Sequence, residues 1–256
     1  MRKKILLVAG ARPNFMKLGP LWPALAADAR SYLRASAASE WHLARVAAKN
    51  RGHGVANPRA LLRAAIGPEE ILTGPELVRP LRREMVPAPS QAVAAVVLGR
   101  RDRGRSEGQR PPRLPASVLL SAEEGPPAVS RAVGLAYFGA AVGPEDVDLA
   151  EVEDLTPATE IAAYEALELA PAHRGPELVE SGFAELGGVV PVNVSGGTLC
   201  LGHAPSSGPL LQVIELAQQL RGHAGRRQVP GARVGVALCG NPVGPRASAS
   251  VTIVDA

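Results

Sequence analysis

Cysteine is scarce in this 256-residue chain: Cys200 and Cys239 are the only two. Two thiols make neither a disulfide framework nor a zinc pattern, so no resident metal is expected. Aromatic residues are equally sparse, at 3%, so Ala, Val and Leu must fill the interior of a chain that is 46% hydrophobic. The length suffices for one large domain or two small ones. No apolar stretch approaches the roughly 20 residues that span a bilayer, which argues against membrane insertion. Met1–Ala11 sets three basic residues ahead of a short apolar run. It lacks a convincing signal-cleavage site, and a buried first strand accounts for it better. The expected protein is soluble and cytoplasmic.

Glycine (27) and proline (24) together make roughly a fifth of the chain, so loops should be plentiful. The formal charge of +4 owes much to arginines in two stretches, Arg100 to Arg113 and Arg221 to Arg233. Charge runs of this kind form solvated surface, or they attract an anionic ligand such as a nucleotide-phosphate tail. Neither stretch interleaves aromatics for base stacking, so nucleic acid is not the expected partner.

Hydrophobic periodicity and breakers order the chain. Lys4–Ala9 reads as a strand entering the Gly10-Ala11-Arg12-Pro13 turn. Ala37–Lys49 reads as a helix stopped by Asn50-Arg51-Gly52, Arg59–Ala65 as another short helix, and Pro68–Leu72 as a turn near a helix start. Gln91–Leu98 fits a buried strand. Gly99–Pro115 has almost no apolar residues and reads as an exposed, mobile linker. Beyond it strands and helices alternate. The strands are Ala116–Ser121, Val147–Val152, Val189–Val194, Val234–Leu238 and Ala249–Val254. The helices are Ala128–Val142, Pro157–Leu169, Pro176–Ser181 and Pro209–Leu220. This alternation predicts an α/β layered domain with a mixed sheet covered by helices.

Several segments together resemble the thiolase family, of the acetyl-CoA acetyltransferase and sterol-carrier-protein type. Val46-Ala47-Ala48-Lys49-Asn50 followed by Asn57-Pro58 is similar to VAxKNHxxxxxNP. Pro80-Leu81 and Ala94-Ala95-Val96-Val97-Leu98 match the ends of a segment close to DPLxLLDCxPxSDGAAAVVL. Glu151-Val152-Glu153-Asp154 and Glu160-Ile161-Ala162-Ala163-Tyr164-Glu165 resemble EVHD and EIIAYE. Glu185-Leu186-Gly187-Gly188 leads into Pro191-Val192-Asn193-Val194-Ser195-Gly196-Gly197, like ELGGxxPVNxSGG. Gly202-His203 stands where the family has GHPxGATG, and Gln219–Ala232 resembles QLRGxAGxRQVPGA. Residues 1–25 instead resemble the opening of UDP-N-acetylglucosamine 2-epimerases, whose Arg-Pro turn lies at a nucleotide-sugar site, although nothing downstream supports that activity. The implied division is residues 1–30 of epimerase-like character, 31–98 a thiolase N-terminal and loop remnant, 99–115 a linker, and 116–256 a thiolase C-terminal-like domain.

Thiolases form or break a carbon–carbon bond between acyl-CoA units. A histidine-activated cysteine carries the acyl group, a second acid/base moves the α-proton, and oxyanion holes hold the thioester oxygens. The resemblance therefore implies acyl-CoA as substrate, no separate cofactor, and a homodimer or a complete thiolase as partner. In the family the nucleophile lies well upstream of the VAxKNH-like segment, and no counterpart exists here. The expectation is a chain truncated with respect to that region and inactive alone, or a non-catalytic module that docks on a complete homologue.

His203 matches the histidine that faces the nucleophile; otherwise it is a loop histidine without a task. Ser195, Gly196, Gly197 and Gly202 match turns that bring the backbone close to CoA. Ser206 and Ser207 are bulkier than the family's residues there. Cys239 keeps the second acid/base role if its turn follows CxGGG. It does not if the turn follows HNxGG, and a buried inert thiol is the alternative. Glu153 replaces a family histidine, and Gln91-Ala92 replaces Asp-Gly. His203 and Cys239 are expected side by side at the C-terminal mouth of the sheet, the pair lowering the thiol pKa.

Overall fold

A computed structural model describes residues 5–11, 21–99, 111–121, 128–204, 206–243 and 248–256. The chain opens with β1 (Ile5–Ala11), α1 (Leu21–Ala35), α2 (Glu40–Val55), α3 (Pro68–Thr73) and the short strands β2 (Glu76–Val78) and β3 (Leu81–Arg82). Next come β4 (Ala92–Leu98), β5 (Arg113–Leu120), α4 (Ala128–Ala140), β6 (Leu149–Val152), α5 (Pro157–Ala166) and α6 (Gly175–Ser181). The last elements are α7 (Gly197–Leu201), α8 (Gly208–Leu220), β7 (Val234–Cys239) and β8 (Ala249–Asp255).

The main sheet runs β5-β8-β7-β6, with β6 and β7 parallel and the other pairs antiparallel. Side chains alternate across β7 as a pleated strand requires. Val236 and Leu238 pack into a core shared with α4 and α5, while Ala237 packs on the opposite side with Leu216 and Val213 of α8. All four residues of β6 are buried. The expected helix-covered mixed sheet is therefore present, with the predicted strands of residues 147–152 and 234–238 lying side by side.

Local chemistry explains the element ends. Pro157 occupies the first turn of α5, and the Thr159 amide donates to Thr156 Oγ1 at 3.2 Å, capping the helix. By contrast, α2 does not stop at Asn50 but continues to Val55. Asn50 and Arg51 are buried there, and their side chains take partners from distant segments. The expected helix over residues 59–65 is irregular, because the Leu61 and Leu62 amides donate to the Cys200 carbonyl. The expected strand over residues 189–194 reduces to one bridge between Ala150 and Val192, and Asn193 with φ 56° ends it.

β4 is not a buried strand. Among the described residues it pairs only with β1, in seven antiparallel register positions, and Val93 and Val97 are 76% and 61% exposed. The proposed boundary at residue 30 falls inside α1, whose Leu25, Ala26, Ala29 and Tyr32 join the same core as α2 and α5. The expected linker is shorter at its end, since residues 113–115 already belong to β5 and Arg113 pairs with Asp255 at 2.7 Å. Residues 100–110 lie outside the described residues. No helix among the described residues is long and apolar enough to cross a membrane.

Candidate functional site

The C-terminal ends of the parallel strands β6 and β7 deliver Glu151, Glu153 and Cys239 to one place. The Glu153 amide continues the ladder by donating to the Leu238 carbonyl at 2.9 Å, which sets Glu153 beside Cys239. Opposite them runs the turn from Ser195 through α7 to Gly202 and His203. Glu151, Glu153, Ser195, Gly197, Thr198, Gly202, His203, Gln212 and Cys239 line a small cleft.

The turn is fixed from behind. Ser195 Oγ donates to Glu151 Oε2 at 2.5 Å and accepts from the Gly197 amide at 3.1 Å. Asp154 accepts from the amides of Thr198 (2.5 Å) and Leu199 (3.3 Å), holding the start of α7. Gly196 (φ 93°) and Gly197 (φ 65°) adopt left-handed backbone. A Cβ on Gly197 would collide with the Asp154 carboxylate, and one on Gly196 would meet Gly54 and Cys200. Gly196 thus lies behind the cleft wall, whereas Ser195, Gly197 and Gly202 face the cleft.

A buried polar network supports this wall. Lys49 Nζ lies 2.8 Å from Glu160 Oε1. Asn50 Nδ2 donates to both Glu160 (2.6 Å) and Asp154 (2.8 Å), and Asn193 Nδ2 donates to Glu160 at 2.7 Å. Asn193 Oδ1 also accepts the Val152 amide at 2.8 Å. Every buried carboxylate here has several donors, as burial demands. Burial raises the Asp154 pKa, the Glu160 charge adds to the rise, and the Thr198 and Leu199 amides oppose it. Glu151 is raised chiefly by burial as well, with Ser195 pulling it back.

His203 and Cys239 share the cleft as expected, and Pro242 does not turn the Cys239 loop away. His203 is anchored by its backbone: its amide donates to the Ala88 carbonyl and its carbonyl accepts from Ser90. Burial lowers the His203 pKa, with Glu153 acting the other way, so the imidazole is held neutral. The thiol does not behave as expected. Cys239 Sγ donates to Glu153 Oε2 at 3.4 Å, and burial together with that carboxylate pushes its pKa up rather than down. A histidine at residue 153 would not repel a thiolate in this way; the carboxylate does. Ser207 does not crowd the cleft either, because its Oγ turns inward to donate to the Ala92 carbonyl at 2.8 Å.

Cys200 is buried against Gly54 and donates to the Asn50 carbonyl at 3.3 Å. Burial pushes its pKa up to about 12. It is a packing residue. Among the polar cleft residues, Glu151, Glu153, Thr198 and Gln212 are not site groups by the sequence reading. Glu153 was legible as a departure from the family pattern. Gln212 carried no signal beyond its place on an amphipathic helix.

The thiolase C-terminal domain-like family profile matches residues 123–255. The chain is 31% identical over 208 residues to sterol carrier protein 2 from Bos taurus, covering 75% of this chain and 38% of that one. It is 31% identical over 228 residues to acetyl-CoA acetyltransferase from Methanothermobacter thermautotrophicus, covering 85% of this chain and 60% of that one. The chain thus spans roughly two fifths to three fifths of these relatives. Among solved structures, the Ltp2-ChsH2(DUF35) aldolase superposes with a TM-score of 0.82 at 20% identity, over 98% of this chain and 72% of that one. A family profile spanning half the sequence, over the strands and turns that build the cleft, means that the chain belongs to the thiolase superfamily.

Proposed function

We propose that this chain binds acyl-CoA thioesters in the cleft at the ends of β6 and β7 and does not carry the acyl group on a cysteine. The observation that carries the reading is the placing of Cys239 Sγ, largely buried and 3.4 Å from Glu153, where burial first and the carboxylate second disfavour the thiolate. Thiolate is the acyl-accepting form, and Cys200 is packed away from the cleft. What remains beside a bound thioester is a carboxylate and a neutral imidazole, groups suited to moving a proton next to a carbonyl. The likeness in fold to a chain of an aldolase assembly is compatible with this, since aldol cleavage needs a base and a stabilised enolate but no enzyme nucleophile. Acetyltransferase-type turnover is accordingly not expected of the isolated chain.

Incubation with acetoacetyl-CoA and CoA should give no thiolysis, while calorimetry should detect binding of butyryl-CoA. Cleavage abolished by Cys239→Ala would overturn the reading and identify that thiol as a nucleophile.

A second reading, docking on a second copy or on a complete homologue, is favoured by the exposed Val93 and Val97 of β4. Light scattering of the purified chain should then report a dimer, and Val93→Lys should dissociate it. A monomer at all concentrations, with no complex on adding a complete thiolase, would end it.

A further inference from the structure

Gln212 sits in the second turn of α8 and lines the cleft, with 8% of its surface exposed. Its Nε2 donates to the Leu238 carbonyl at 3.3 Å, one residue before Cys239. That contact settles the orientation of the amide, because the flipped form would set two oxygens against each other. The other end, Oε1, is buried and has no hydrogen-bond partner among the described residues. An amide carbonyl left without a donor is destabilising, and few buried polar atoms are left so in folded proteins. Gln212 is one of the residues lining the cleft together with Glu153, His203 and Cys239.

An acceptor calls for a donor, and acyl-CoAs differ in whether they bring one to their reacting end. A saturated acyl thioester has none near the carbonyl, and a 3-ketoacyl thioester adds a second acceptor. A 3-hydroxyacyl thioester brings an O–H two carbons from the thioester carbon. The pantetheine amides also donate, but every acyl-CoA carries them.

We infer that Gln212 is a specificity-determining residue whose Oε1 accepts a hydrogen bond from the hydroxyl of a 3-hydroxyacyl thioester, so that the cleft prefers hydroxylated over saturated or oxo acyl groups. The inference rests on the acyl-CoA reading above and adds the class of acyl chain. Sites built to pair a substrate hydroxyl discriminate strongly against analogues that lack it, since the protein group is then left unpaired.

Calorimetry with 3-hydroxybutyryl-CoA, butyryl-CoA and acetoacetyl-CoA tests this. The unaltered chain should bind the hydroxy compound about tenfold more tightly than the other two, the worth of one such hydrogen bond. Gln212→Met, close in shape and without the acceptor, should bring the three within about twofold of one another, with its circular dichroism spectrum and urea midpoint serving as the check of folding. Equal affinities in the unaltered chain overturn the inference and leave acyl-CoA binding intact, the pantetheine then being the only donor that matters. A preference that persists in Gln212→Met also overturns it, because another group then reads the hydroxyl. Failure of all three compounds to bind removes the acyl-CoA reading itself, and this inference with it.

Discussion

Asn50 donates one amide nitrogen to two carboxylates, Asp154 at 2.8 Å and Glu160 at 2.6 Å, which arrive from segments more than a hundred residues downstream. Helix α2 is thereby tied to the end of β6 and to α5 at a point where all three side chains are buried. Removing the bridge leaves two buried carboxylates short of a donor and closer to mutual repulsion. Asn50→Ala should cost about 3 kcal/mol of unfolding free energy, read as a lower urea midpoint with an unchanged slope. A loss under ~0.5 kcal/mol would mean that water replaces the amide.

Burial first and Glu153 second, with no contribution from His203, raise the Cys239 thiol pKa. Iodoacetamide should therefore modify native Cys239 at pH 7.5 at least about tenfold more slowly than a free thiol. Glu153→Gln should raise the rate several-fold, and His203→Ala should leave it nearly unchanged. A fast reaction that depends on His203 would restore the paired thiolate expected from the sequence. Mass mapping must assign the site, although Cys200 is itself well shielded.

The alternation of strands and helices after residue 116 was readable because each element has its own period and its own breaker. The motif residues Lys49, Asn50, Asp154, Glu160 and Asn193 were also visible one by one. That they form a single network was not, because sequence spacing says nothing about which buried donor meets which acceptor. The status of β4 failed for a related reason. An Ala/Val run looks the same whether it is covered on both faces or, as here, paired with one strand and exposing Val93 and Val97. Glu153 showed only as a missing histidine. Its meaning as an added negative charge beside a thiol needed the parallel pairing of β6 with β7.

His53 makes stability depend on acid. Its Nδ1 lies 3.0 Å from the Asn193 carbonyl, and its Nε2 accepts from the Leu186 amide at 3.0 Å, an arrangement possible only for the neutral ring. Burial first, and Lys49 second, lower its pKa to about 4, below the usual 6.5. Between these values the unfolded chain binds a proton that the folded chain refuses, so this contribution to stability grows with pH from about 4 to 6.5 and is lost on acidification. Its full size is about 3 kcal/mol. Glu151 and Asp154, both raised, work in the opposite sense: the folded chain holds their protons longer, and their contribution weakens as pH rises above the ordinary carboxylate range. His53→Gln isolates the first effect. The difference in urea midpoint between the parent and this variant should shrink from pH 6.5 to pH 4.5. A difference constant with pH would show that the ring is protonated in the fold.

The second arginine-rich stretch is not uniformly solvated surface. Arg227 is 5% exposed and forms a two-point pair with Glu215, Nε to Oε1 at 2.8 Å and Nη2 to Oε2 at 3.0 Å. Gln219 fills in behind, donating to Glu215 Oε1 at 3.1 Å and to the Arg227 carbonyl at 2.9 Å. Taking both charges out of water is costly, so the pair stabilises less than its geometry suggests, but losing one partner strands the other. Arg227→Ala should therefore cost about 3–5 kcal/mol, because Glu215 is left nearly buried, with Arg59 at 3.5 Å as its remaining cation among the described residues. The double variant Arg227→Met with Glu215→Leu should recover much of that loss, since no charge is then stranded. The Arg59 contact is half-exposed and should not rescue the single variant at 0.5 M salt, where exposed pairs are screened. If Arg227→Ala costs no more than Arg226→Ala, a change at an exposed neighbour, the arginine is merely covered and the ion pair does not organise the end of α8.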